Sequence, residues 1–159
     1  MIRELVDRIS LVIQGTDDAD APDRREAIRL ATAVLMVDVA RADYDFDEDE
    51  FTTLLDLIQL HFGLSAEDAT QLANEASEVA EDLVSVHEFT SLLHKQMSEQ
   101  EKAEVVALLW RIAYADGRLD KYEDSLVLKI SDLLYVSRGR VMQLKHEAQA
   151  AAGTGLQGG

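Results

Sequence analysis

Apolar residues recur three and four positions apart along most of this chain, and each such run predicts a helix with one buried face. Ile2, Leu5, Val6, Ile9, Val12 and Ile13 form the first. A polar loop spans Gly15–Ala21, and Asp20 and Pro22 then suit the start of a second helix that continues through Ala31–Asp43. This helix is apolar nearly all round, which predicts a central, buried element. A third helix is expected from about Glu48 to His61, and a fourth after Ser65, where Ser65-Ala-Glu-Asp68 resembles a capping box. Ser85-Val-His-Glu88 and Ser98-Glu-Gln-Glu101 fit the capping box itself and predict a short fifth helix and a long sixth. The seventh runs from Lys121 to about Tyr135, and the eighth starts after Ser137 and stops before Gly153. Residues 151–159 read as a flexible tail.

The pattern occurs twice. At an offset of 73, Leu35 matches Leu108, Ala40 matches Ala113, Ala42 matches Ala115, and Leu55 matches Leu128. Past Gly63 the offset drops to 72, so that Ser65 matches Ser137 and Gln71-Leu72 matches Gln143-Leu144. Matches between apolar positions of amphipathic helices are cheap. The acids are more telling: Asp43, Asp47 and Glu50 align with Asp116, Asp120 and Glu123. Two copies of a three-helix unit, about 27–76 and 100–148, are therefore expected to pack as pseudo-symmetric halves. With an N-terminal helix and a short bridging helix they make one all-α, single-domain bundle over residues 1–150. Asp38 and Arg111 are equivalent at the same offset, and a charge pair across the repeat interface is one reading of them. Two side chains reaching solvent separately is the other.

Length and composition agree with one domain: 159 residues, 47% apolar and 29% charged. Charge narrows the partners. Thirty-one acids against fifteen Lys and Arg give −16, which would repel a phosphate backbone, so no nucleic-acid partner is expected and cations or basic protein surfaces are favoured. Cysteine is absent, which removes disulfides and thiolate chemistry and accords with a cytoplasmic location. Charges interrupt the opening segment and no run of eighteen apolar residues occurs, so neither a signal peptide nor a membrane span is expected.

Candidate chemistry is concentrated in the repeated acidic motif, Ala-Asp-x3-Asp-x2-Glu, at a helix–turn–helix junction. Part of it has a local explanation. Asp47-x-x-Glu50 and Asp120-x-x-Glu123 suit capped helix starts, Phe46 and Phe51 suit a hydrophobic staple, and Gly117 suits a left-handed turn. Asp43 and Asp116 are different. Each stands at a helix C-terminus, where the macrodipole disfavours a carboxylate, so a positive partner is expected there: a metal, or an Arg or Lys. The second copy, Ile112-Ala-Tyr-Ala-Asp-Gly-Arg-Leu-Asp-Lys-Tyr-Glu123 and onward to Leu134, resembles the characteristic segment of the tellurite-resistance TerB-like family, also found at the front of some DnaJ-type membrane chaperones. In that family the acids of both halves are regarded as a metal site. The resemblance implies the same for Asp43, Asp47, Glu50, Asp116, Asp120 and Glu123. Tyr44 departs from the pattern, standing where the second copy has Gly117.

Oxygen ligands alone would select a hard divalent cation, Ca²⁺, Mg²⁺ or Mn²⁺. Asp43-x-Asp45-x-Asp47 is no EF-hand loop, because Glu48 takes the turn-glycine position and Leu54 that of the bidentate glutamate. His61, His87, His94 and His146 form no metalloprotease motif, and neither a phosphate loop nor a nucleophile elbow is present. Trp110 reads as core. The expected function is a non-enzymatic TerB-like module, binding a divalent cation and linked to tellurite or other stress responses. The alternative is a protein-interaction adaptor whose acids cap helices and hold no metal.

Overall fold

A computed structural model describes residues 21–42, 48–81, 86–115 and 121–157, and these residues form helices and turns alone. The helices are α1 (Ala21–Ala40), α2 (Glu48–Phe62), α3 (Ala66–Glu81), α4 (His87–Gln96), α5 (Glu99–Ala113), α6 (Lys121–Leu133) and α7 (Arg138–Gln157). The expected helix over Ile2–Ile13 lies outside the described residues. The all-α architecture is as the apolar spacing predicts.

α1 is the axis of the bundle. Leu30, Ala31, Ala33, Val34, Leu35, Met36, Val37, Val39 and Ala40 are all buried, and the helix packs against α2, α3, α4, α5 and α6. Apolar residues on every side of a helix exclude water only when neighbours surround it. α3 lies along α1 and buries Ala69, Ala73 and Ala76, whose methyl side chains let the two backbones approach closely. α5 is the second axis, with Val105, Val106, Leu109, Trp110 and Ile112 buried and α7 alongside. The two halves interlock, because α2 also packs on α5 and α6 on α1.

Helix bounds follow the sequence offsets. α1 and α5 end at the equivalent Ala40 and Ala113, α2 and α6 start at Glu48 and Lys121, and α3 and α7 start at Ala66 and Arg138. Their caps also correspond. Ser65 Oγ accepts from Asp68 N at 3.1 Å, and Ser137 Oγ accepts from Arg140 N at 3.3 Å. Helices α2 and α6 close with the same wide turn, Leu64 N to Gln59 O and Val136 N to Ser131 O, both 3.1 Å.

Ser98 and Glu101 form the expected capping box, with Glu101 N donating to Ser98 Oγ at 3.2 Å and Ser98 N to Glu101 Oε1 at 3.0 Å. Two other expectations need correction. The N-cap of α4 is Val86, which makes no side-chain cap; Val86 is buried with Phe89, so packing places this helix start one residue beyond Ser85. The last helix passes Gly153 and continues to Gln157, over most of the expected tail, because Ala150, Ala151 and Ala152 carry it to residues whose glycines cost only about 1 kcal/mol each. Asp38 is half-buried, and the cations acting on it are Arg41 and Lys129, whereas Arg111 is exposed.

Candidate functional site

The two acidic segments connect α1 to α2 and α5 to α6 in the chain. Asp43, Asp47, Asp116 and Asp120 lie outside the described residues. Glu50 and Glu123 are described, and each is the third residue of its helix. They are buried, with 4% and 2% of their surfaces exposed. Two chemically costly residues thus occupy equivalent, water-excluded positions in the two halves. An ionised carboxylate cannot stay in such a place without compensation, either hydrogen-bond donors or a cation. Both residues take part in polar or electrostatic interactions, and the first turn of a helix directs its amide groups and dipole toward an anion.

Glu50 and Glu123 are therefore set apart from the many solvated acids of the chain, including the exposed Glu67 and Asp68 in the first turn of α3. Their burial was invisible to a capping argument, which asks only for a side chain that reaches back along the surface. The described residues contain no group of three or more His, Asp or Glu side chains able to hold a metal. Glu50 and Glu123 are the members of the six-residue set that the described structure places.

A sequence model of the family described as tellurite resistance protein TerB matches residues 29–146, most of the chain. The chain belongs to the TerB family. Comparison with curated proteins and with solved structures gives no match. The matched span of this TerB-like domain begins inside α1 and ends inside α7, so it includes both acidic turns and both buried glutamates. Among the described residues, no helix is long and apolar enough to cross a membrane.

Two polar clusters lie in the second half and at its junction with α4. Trp110 is fully buried, as expected of core, and donates through Nε1 to the Val141 carbonyl at 3.2 Å. Lys145 lies over its ring, 5.3 Å from the centroid, and ends on Asp124 at 2.7 Å. The equivalent positions in the first half are Val37, Ala73 and Phe51. Lys102 is 2% exposed and bridges His94 Nδ1 at 2.6 Å to Glu99 at 3.2 Å, while the His94 ring lies against Tyr135. Helical spacing marks Lys102 as no more than a surface residue; only the docking of α4 on the bundle encloses it.

Proposed function

We propose that this TerB-like domain is a non-enzymatic, cytoplasmic module that binds a divalent cation through its two acidic turns. Asp43, Asp47 and Glu50 of one turn and Asp116, Asp120 and Glu123 of the other supply the oxygen ligands, and Ca²⁺, Mg²⁺ and Mn²⁺ are the ions such a set selects. The observation that carries this reading is the burial of Glu50 and Glu123 at equivalent positions. Removing carboxylates from water twice, in the same place of a duplicated unit, is costly in folding energy and is offset when a cation shares the site. Family membership supports a link to tellurite or other stress responses. The chain contains no cysteine, so thiol reduction of tellurite is not its role.

Thermal melts of the EDTA-treated protein test the proposal. A cation that binds only the folded state contributes about 2.7 kcal/mol at a hundredfold excess over its Kd. In a domain of this size each kcal/mol raises Tm by about 2–4 °C. Because a chain of charge −16 also gains from screening, NaCl at matched ionic strength is the control. Ca²⁺, Mg²⁺ or Mn²⁺ should exceed that control in the wild type, and the excess should disappear in Asp43→Asn and Asp116→Asn. Divalent ions that do no better than NaCl would reject the metal site and leave the acids as helix caps in an interaction adaptor.

A further inference from the structure

The first half of the bundle carries an open groove. It lies between α1 and α3, has a volume of about 300 Å³, and has a floor of Leu30, Leu64 and Leu72. Its walls carry Glu26, Asp68 and Glu75 against a single Arg29. Leu64 and Leu72 are half-buried, so apolar surface remains in contact with water between the carboxylates. In the second half the counterpart of Arg29 is Lys102, over which His94 of α4 closes, leaving it 2% exposed. The two repeats therefore present different surfaces at equivalent places, and the open one is acidic.

We propose that this groove is a docking site for a basic amphipathic helix of a partner protein, one that sets a Leu- or Ile-sized side chain on Leu64 and Leu72 and directs Lys or Arg to Asp68 and Glu75. Charge selects this occupant. Three carboxylates and one guanidinium line the groove, within a chain of charge −16 that attracts basic partners at long range. The apolar floor then supplies the short-range contact that a purely ionic surface lacks, as in other grooves that hold amphipathic helices. The volume suits one or two side chains, so a short helical segment is sufficient. The chain's own Ile2–Ile13 segment has an apolar face, but Arg3 and Arg8 are balanced by Glu4 and Asp7, and it offers the groove no net charge. This docking function is separate from the acidic turns and stands whether or not they bind a cation.

Fluorescence anisotropy with the full chain and a labelled fourteen-residue Leu/Lys amphipathic peptide as probe tests the site. Asp68→Lys/Glu75→Lys removes the acidic wall, while Glu88→Lys/Glu104→Lys makes the same change in net charge at exposed positions on α4 and α5, outside the groove. The groove variant should weaken the probe by about tenfold or more and the control by less than about threefold. Circular dichroism confirms that both remain helical, and Leu72→Gln provides a second, uncharged variant expected to weaken binding. Equal loss in the two charge variants would show general attraction to an acidic chain and overturn the site, as would no binding by the wild type at about 100 µM probe. A gain of about tenfold in Val6→Asp would identify the chain's own first segment as the occupant and overturn the partner.

Discussion

Gly63 and Tyr135 occupy the same place at the ends of α2 and α6, and both have positive φ, 65° and 61°. The wide turn that closes each helix requires a left-handed residue there. Glycine adopts this conformation at no steric cost, whereas tyrosine pays about 1–2 kcal/mol. Tyr135 is 71% exposed, so burial contributes little in return, and its ring lies against His94. Tyr135→Gly should therefore leave stability unchanged or raise it by up to about 1 kcal/mol in urea unfolding, with glycine's own entropy taking part of the gain. Gly63→Ala should lower it by about 1 kcal/mol, and a Cβ there would meet nothing within 4 Å, so the loss is one of backbone conformation alone. A clear loss on Tyr135→Gly would mean that the His94 contact outweighs the strain.

Lys145 and Asp124 form a half-buried pair beside Trp110, and a double-mutant cycle on Lys145→Met and Asp124→Asn should give a coupling of about 1 kcal/mol. The same pair acts on Tyr114. Burial pushes its phenol above the usual tyrosine range, Lys145 draws it back, and Asp124 raises it further. A phenol whose folded value is raised contributes stability that is complete below its unfolded pKa and lost as pH rises through the folded value. Absorbance titration near 295 nm should move Tyr114 upward in Lys145→Met and downward in Asp124→Asn. Identical titrations in both variants would break the link.

Asp38 is raised above the ordinary carboxylate range by burial, with Arg41 and Lys129 acting in the opposite direction. A carboxyl with a raised folded value favours its neutral form, so its contribution is present at acid pH and lost as pH rises through that value. Asp38→Asn mimics the neutral form and should raise the urea midpoint at pH 7. The difference from wild type should vanish near about pH 3, where both side chains are uncharged. Arg111→Ala, at an exposed site, should change stability by less than about 0.5 kcal/mol. A large loss there would restore the charge pair across the repeats.

What the sequence by itself determined about this chain is periodic or local in origin. Apolar spacing together with cap signals located α1 to α7, because each helix needs only one face, or in α1 every face, to be removed from water. The offsets of 73 and 72 carried through to helix starts and to the Ser65 and Ser137 caps, because a cap depends on residues three apart. The acidic motif, read against family resemblance, pointed alike to Asp43, Asp47, Glu50, Asp116, Asp120 and Glu123. Only the tertiary structure decided that Glu50 and Glu123 are buried, since burial depends on which distant helix covers a first turn. It also decided that Lys102 is enclosed, with His94 of α4 against it, while Arg29 borders an open groove. Tyr135 at positive φ was equally hidden: its side chain gives no signal of a left-handed turn, and the helix closure imposes one. Residues matched by the sequence offsets start corresponding helices, and unequal surroundings make Lys102 and Arg29 chemically distinct.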